Sequence, residues 1–158
     1  MPSLDYMAWV DRNWGLLNRL VAGHTAIYRI TDGRLGHRMP GAPPFLLLDH
    51  EGAKSGRHRT TVLIYTADGE DLVLVASKGG NPKNPAWYHN LMAHPDTTVQ
   101  VGAERRSVRA RQASPAERER LWPMAVSVYG PYESYRRRTE REIPMVILEP
   151  RGEAQPAQ

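Results

Sequence analysis

Thr60-Thr61-Val62-Leu63-Ile64-Tyr65-Thr66-Ala67-Asp68-Gly69-Glu70-Asp71-Leu72-Val73-Leu74-Val75-Ala76 is the stretch that decides the fold. Its first part, Thr60 to Thr66, is rich in β-branched and aromatic residues, which suit a pleated, half-buried strand. Asp68-Gly69 tolerates the positive φ that a tight hairpin turn needs. Leu72 to Ala76 is a continuous apolar run, consistent with a return strand buried on both faces. The stretch therefore predicts one strand from Thr60 to Thr66 folding back on another.

Working outward, Phe45-Leu46-Leu47-Leu48 reads as a short buried strand, separated from Thr60 by the basic, glycine-containing turn Gly52-Ala53-Lys54-Ser55-Gly56-Arg57-His58-Arg59. Downstream, Asn84-Pro85 predicts a helix with Asn84 as its cap and proline at its first position, running to about Ala93. A second hairpin is expected around Gly102. Val99, Val101, Val108 and Ala110 fall on one face of it, and Gln100, Arg109 and Arg111 on the other. Ser114-Pro115-Ala116-Glu117 fits a capping box and starts a helix to about Val128. Tyr129 to Arg138 reads as a tyrosine-rich turn and short helix, and Pro144 to Leu148 as a last strand. Hairpins outnumber strand–helix–strand spacings, so the class is α+β on a small antiparallel barrel.

The N-terminal 1–30 segment forms an amphipathic helix by its spacing. Met7, Val10, Trp14, Leu17 and Val21 make one stripe, with Trp9, Leu16, Leu20 and Ile27 beside it. Ser3 is placed to cap it, Asp5 lies in its first turn, and Gly23 is a point where it can break. Two readings stay open: a helix packed on its own domain, or one making peripheral membrane contact through its tryptophans and flanking arginines. Residues 31–44 form an irregular connector, 31–150 contain the barrel domain, and the polar 151–158 tail is expected to be disordered.

The 158 residues carry a net charge of +4, which favours anionic partners. There is no cysteine, which excludes disulfides and thiolate chemistry. Neither a signal-peptide core nor a membrane span is present, so a cytoplasmic protein is expected, membrane-associated at most through its first helix. The six histidines have no ligand spacing, and no metal site is expected. Arg136-Arg137-Arg138 with Arg141 suits either a nucleic-acid contact or a solvated face, and the solvated face is favoured.

Two segments combine cations with glycine. Lys54 and Arg59, with Ser55 and the Gly56 N–H, suit a phosphate. The spacing of a nucleotide-hydrolysing P-loop is missing. Ser77-Lys78-Gly79-Gly80 follows an apolar strand, and its glycines allow close backbone approach by a flat ligand. Trp87 and Tyr88 are core or cofactor walls, and Asn90 shares the Trp87 face and can meet a polar ring edge. Tyr129, Tyr132 and Tyr135, three apart, can hydrogen-bond a substrate oxygen or simply pack.

Taken together, Gly52-x-Lys54-Ser55-Gly56-x-x-Arg59, Ala76-Ser77-Lys78-Gly79-Gly80 and Lys83-Asn84-Pro85-x-Trp87-Tyr88-x-Asn90-Leu91 resemble the deazaflavin (coenzyme F420)-dependent nitroreductase and quinone reductase family. Glu117-Arg118-x-x-x-Trp122, Tyr132-x-x-Tyr135 and Arg141-x-Ile143-Pro144 match as well, so the likeness runs from about residue 45 to 150. The resemblance implies a split β-barrel of the FMN-binding type that binds reduced F420. It places the cofactor phosphate at Ala53, Lys54, Ser55, Gly56 and Arg59. The deazaflavin would lie beside Thr60, Thr61, Val62, Leu63 and Ile64 and beside Val75, Ala76, Ser77 and Lys78. Ala86, Trp87, Tyr88, His89 and Asn90 would close the pocket. It further implies hydride transfer from C5 to a small electron acceptor, a quinone, a nitroaromatic or an unsaturated lactone. Ser77, Tyr129, Tyr132 and Tyr135 become the candidates for substrate contact or proton donation. Val62 stands where many relatives carry proline, and Ile64 where some present tyrosine, so activity on nitro drugs is not implied. Two other readings remain: an FMN-dependent oxidoreductase on a similar barrel, and a basic module binding nucleic acid or membrane. The oligomeric state is open.

Overall fold

A computed structural model of the protein describes residues 12–152. Its strands are β1 (Phe45–Glu51), β2 (His58–Ile64), β3 (Thr66–Asp68), β4 (Asp71–Val75), β5 (Asp96–Val101), β6 (Glu104–Gln112) and β7 (Met145–Pro150). The helices among the described residues are α1 (Trp14–Ile30), α2 (Ala86–Ala93), α3 (Pro115–Val128) and α4 (Pro131–Arg137). All strand pairs are antiparallel and form one seven-stranded sheet in the order β2-β1-β5-β6-β7-β4-β3. The sheet curls into a half-barrel flanked by the helices, the α+β split barrel expected from the hairpins and the resemblance.

The expected Thr60–Thr66 strand is in fact two strands at opposite edges of the sheet. Leu47 pairs with Val62 on one edge, whereas Thr66 pairs with Val73 on the other. Tyr65 is the corner between them and is buried. Its N–H donates to the Pro44 carbonyl at 3.3 Å, its ring stacks on His37 at 6.0 Å, and its hydroxyl meets His37 Nε2 at 2.9 Å. A tight turn forms here, but one residue later than expected: Asp68 ends β3 opposite Asp71, the tip is Gly69-Glu70 with Gly69 at φ 60°, and only the short β3–β4 pair is closed.

Both faces of the sheet are covered. Leu46, Leu48, Leu74, Val99, Val108 and Leu148 point to one side, where Trp87 and Leu91 of α2 seal them. Val73, Val75 and Ile147 point to the other, against Leu121, Trp122 and Ala125 of α3 and Tyr132 of α4. Fully burying one such aliphatic side chain stabilises the fold by about 1.5–3 kcal/mol. The two faces explain why the Leu72–Ala76 segment is apolar without alternation.

The Ser114–Glu117 capping box is present, and Arg111 ties it to the sheet through Glu117 at 2.7 Å and Glu149 at 2.7 Å. Helix α2 differs from expectation. Pro85, in an extended conformation, is its N-cap, and the Asn84 Oδ1 is buried without a partner. The second hairpin turns at Gly102 as expected, yet Gln100 is buried rather than outward. Its Nε2 donates to the Gly102 carbonyl at 3.0 Å.

Helix α1 runs unbroken through Gly23, so the expected break does not occur. It is anchored by Tyr28, which is fully buried. The Tyr28 hydroxyl accepts from the Gly102 N–H at 2.7 Å and lies 3.1 Å from the Phe45 carbonyl and 3.3 Å from that of Gln100. Leu16, Leu20, Val21, Ile27 and Ile30 nevertheless stay exposed among the described residues. The parts of that expectation resting on Ser3, Asp5, Met7, Trp9 and Val10 lie outside the described residues. At the other end, Arg151 is not part of a loose tail. Its N–H donates to the Ser107 carbonyl at 2.8 Å and its guanidinium lies 3.5 Å from Asp96. The expectation of disorder for 153–158 falls outside the described residues.

Tyr28→Phe leaves the Gly102 N–H and two carbonyls short of a partner in a dry site. A loss of about 1–3 kcal/mol is expected, read as a lower urea midpoint at unchanged slope.

Candidate active site

The curl of the sheet sets the end of β2 beside the end of β4. Between them lies a cleft of about 370 Å³. Val62, Leu63 and Ile64 form one wall and Leu74, Val75, Ser77, Lys78 and Gly79 the other. Pro85 and Trp87 close one side, and Tyr129, Tyr132 and Tyr135 the opposite side.

After β4 the chain makes a tight 3₁₀ turn, Lys78–Gly80. Lys78 (φ 46°), Gly79 (φ 63°) and Gly80 (φ 79°) are all left-handed, a conformation that is unfavourable for lysine. The two glycines have different uses. Gly79 lines the cleft with open space around it, in keeping with the expectation of close ligand approach. Gly80 instead lets α4 come close: a Cβ there would lie 2.8 Å from the Tyr135 carbonyl oxygen. Arg141 fixes the same turn, donating to the carbonyls of Ser77 (2.8 Å), Ala76 (3.2 Å) and Asn81 (2.8 Å). Arg136 and Arg137 pair with Glu133, and Arg136 lies 5.3 Å from the Trp122 ring. Arg136, Arg137 and Arg138 stay exposed, the solvated face favoured for this run.

The tyrosines pack on one another as well as lining the cleft. Tyr129 and Tyr132 meet edge-on at 4.9 Å, and the hydroxyls of Tyr129 and Tyr135 are 3.2 Å apart. Burial, helped by the neighbouring phenols of Tyr129 and Tyr135, pushes the Tyr132 pKa well above its ordinary value. Tyr132 is protonated at neutral pH, as any phenol is, and the shift extends that to alkaline pH, so its O–H can only donate to or accept from a ligand as a neutral group. The Ser77 hydroxyl is nearly buried and makes no hydrogen bond to any described residue, which leaves it available to a ligand.

At the other end of β2, the Gly52–Arg57 loop is closed by two backbone bonds, Gly52 N–H to Arg57 O and Gly56 N–H to Gly52 O, both 2.9 Å. Gly56 takes φ 65° to allow this. The loop is held from below by a chain of side chains. Asn90 Oδ1 accepts the Ala53 N–H at 2.9 Å, which orients the amide so that Asn90 Nδ2 donates to His50 Nδ1 at 2.9 Å. His50 Nε2–H then donates to Thr61 Oγ1 at 2.8 Å. Burial, reinforced by the Arg59 charge, lowers the His50 pKa against the opposing pull of Asp49, so the ring is neutral. Above this support Lys54, Ser55, Arg57 and Arg59 are exposed, and none of the three cations has an ion-pair partner among the described residues.

The candidate residues therefore separate into groups. Val62, Leu63, Ile64, Val75, Ser77, Lys78, Trp87 and the three tyrosines meet in the cleft. Ala53, Lys54, Ser55, Gly56 and Arg59 cluster at the loop. Asn90 and Thr61 support that loop; the Asn90 amide is already engaged and is not directed at a ring edge. The Tyr88 hydroxyl donates to Gln112 at 2.7 Å, outside the cleft, while Ala86 and His89 are exposed. Ala76 belongs to the core, and the Thr60 hydroxyl donates to Asp49 at 2.6 Å. His50 was not singled out by sequence reading. Its signal was the period-two continuation of Leu46 and Leu48 onto the buried face. A polar hollow of about 600 Å³ lies beyond the loop and shares Arg59 and Thr60 with it; of its other charges, Asp49 pairs with Arg29 at 2.6 Å and Asp96 with Arg109, outside the hollow, at 3.0 Å.

The family model of the F420H(2)-dependent quinone reductases matches residues 20–150. The chain belongs to this family. Membership makes it an F420H2-dependent oxidoreductase and separates that reading from the FMN and binding-module alternatives. Within the family, the F420H(2)-dependent quinone reductase Rv1261c of Mycobacterium tuberculosis is 46% identical over 148 residues, 92% of this chain and 98% of its own. A solved F420-H2-dependent reductase (FDR-A) is 41% identical with TM-score 0.63, covering 67% of this chain and 94% of its own. A solved domain-swapped dimer is 35% identical with TM-score 0.64, covering 90% and 98%.

His50 links the loop to pH. Below its ordinary pKa of 6.5 the unfolded chain takes up a proton that the folded ring resists, so stability falls on acidification. His37 is shifted in the same direction. The thermal midpoint is expected to fall as pH drops through the range just below 6.5, and His50→Gln should flatten that fall in part. An unchanged pH profile in the variant would remove His50 from this role.

Proposed function

We propose that the protein reduces a quinone with F420H2 held along β2. The phosphate and acidic tail would rest on Lys54, Arg59 and the loop amides, and the ring would occupy the tyrosine-capped cleft. The observation that carries this reading is the pairing of two unlike ends on one strand. Cations without counter-ions stand at the start of β2, and an apolar cleft holding an unbonded serine hydroxyl stands at its finish. Because β2 is an edge strand, one row of its backbone groups lacks a strand partner and is open to a planar, polar-edged ring. The residues present fit the cofactor in charge, shape and hydrogen-bonding capacity.

When bound, the cofactor supplies a hydride from C5 to the acceptor. The chain contributes placement, exclusion of water and control of charge. Val62, Ile64 and Trp87 offer apolar walls to the ring. Negative charge developing on a quinone oxygen is stabilised by donors fixed in advance. Ser77 and protonated Tyr132 are the donors closest in kind to that task. Tyr129 and Tyr135, hydroxyl to hydroxyl, form a route by which a proton reaches the reduced oxygen. Lys54 and Arg59 take no part in the chemistry and hold the anionic end.

Equilibrium titration tests the assignment. Lys54→Ala or Arg59→Ala should weaken F420 binding by about 1.5–3 kcal/mol per lost charged hydrogen bond, with little change in thermal midpoint. Tyr132→Phe should lower turnover about ten-fold or more at nearly unchanged F420 affinity. Wild-type affinity in both loop variants, or a preference of the protein for FMN over F420, would contradict the proposal.

A further inference from the structure

Several arginines fixed to this fold are met by an acid: Arg111 by Glu117 and Glu149, Arg29 by Asp49 and Arg120 by Asp68. Arg141 is in no ion pair among the described residues, and its neighbours in sequence, Glu140 and Glu142, are exposed. The bonds that its guanidinium donates all go to carbonyls, those of Ala76, Ser77 and Asn81. Its Nη1 is buried with no partner. Burial lowers the Arg141 pKa and no carboxylate opposes the shift, yet a guanidinium keeps its charge at neutral pH. A charge withdrawn from water without a counter-ion is costly. Here it stands directly behind the wall that Ser77 and Lys78 give the cleft.

We infer that Arg141 is a positioning residue for the reduction, acting through the Ser77 and Lys78 peptides to give the cleft a positive wall for negative charge on the acceptor. This rests on the quinone-reductase reading above. In a trans peptide the N–H points away from the C=O of the same unit, and the described residues contain no cis bond. The Ala76 and Ser77 carbonyls point at Arg141, so the N–H groups of Ser77 and Lys78 point away from it. The Ala76 N–H donates to the Pro144 carbonyl on the β7 side. The next N–H, that of Ser77, is turned to the opposite side, where β4 faces β2 across the cleft. Neither N–H has a hydrogen-bond partner among the described residues. Reduction of a quinone by F420H2 transfers a hydride and a proton, yielding the hydroquinone and F420. The acceptor oxygen carries the negative charge until the proton arrives. Arg141 favours that charge by fixing and polarising two peptide dipoles in advance. It also adds a full positive charge that no acid cancels. A neutral side chain at this position would supply only the hold on the turn.

Equilibrium dialysis reads the charge of the site without turnover. The protein is loaded with oxidised F420, which has no hydride to give. It is then dialysed at neutral pH against 2-hydroxy-1,4-naphthoquinone, an anion there, and against the neutral 2-methoxy analogue. Arg141→Gln, which keeps a donor and loses the charge, should lower the anion-over-neutral preference about ten-fold, the effect of one unit charge acting through a protein interior. Arg141→Lys, which keeps the charge and loses the fork, should hold the preference within about three-fold of the wild type. The Thr139 hydroxyl accepts the Arg141 N–H. Thr139→Asp keeps an acceptor there and supplies an acid, so it should lower the preference about three-fold or more, and it serves where Arg141→Gln does not fold. With F420H2, Arg141→Gln should lower kcat about ten-fold at nearly unchanged KM, and Arg141→Lys should recover most of the loss. A preference that survives in Arg141→Gln and Thr139→Asp, or falls equally in Arg141→Gln and Arg141→Lys, overturns the inference. Loading reports on the reductase reading separately. If no F420 is taken up, that reading fails and the same variants are compared on the cofactor-free cleft. If F420 binds but no quinone is reduced, that reading fails while the dialysis still decides the role of Arg141.

Discussion

A single residue carries the chain from one edge of the sheet to the other. β2 ends at Ile64 and β3 begins at Thr66, yet these strands lie at opposite ends of a seven-stranded order. In a flat sheet those edges would stand about 29 Å apart, while the two steps from Ile64 to Thr66 span at most about 7 Å. Connectivity and pairing can both be satisfied only if the sheet curls until its edges meet. Tyr65 sits at that seam, buried and held by His37, and the cleft forms where β2 and β4 are brought side by side. The site is therefore a consequence of closure rather than a depression on a finished surface.

Closure also arranges the charges. The same strand that lines the cleft begins at the basic loop, so an elongated ligand meets cations at one end and apolar walls at the other. The loop's support is internal: Asn90, neutral His50 and Thr61 hold the backbone, and Lys54 and Arg59 have no ion-pair partner among the described residues. On the far side, Gly80 and Arg141 let α4 approach and set the tyrosines across the opening. Family membership names the cofactor, and on the proposed reading its anionic tail takes the loop and its flat ring the cleft.

Much of this was legible in the sequence, and the gaps have physical causes. The hairpin turn at Gly102 and the Ser114 capping box depend on local chemistry and were found where expected, and the turn after β3 falls one residue later than read, at Gly69-Glu70. The break at Tyr65 was missed because β propensity runs through it without interruption; only non-local pairing divides the strand. Gln100 and His50 read as polar and outward or unremarkable, since their burial depends on partners far along the chain. Asn84 is a good cap by residue type, but Pro85 takes the capping position. The tyrosines were recognised as one group, whereas their mutual packing required the fold.

The central claim is that the edge of β2 is the cofactor-binding surface. A crystal structure of the protein with F420 bound tests it most directly. The account predicts the phosphate at Lys54 and Arg59 and the ring between Val62–Ile64 and Val75–Lys78, beneath the tyrosines. A ring lying instead in the polar hollow of Arg29 and Asp49, with the cleft at β2 and β4 empty, would contradict it.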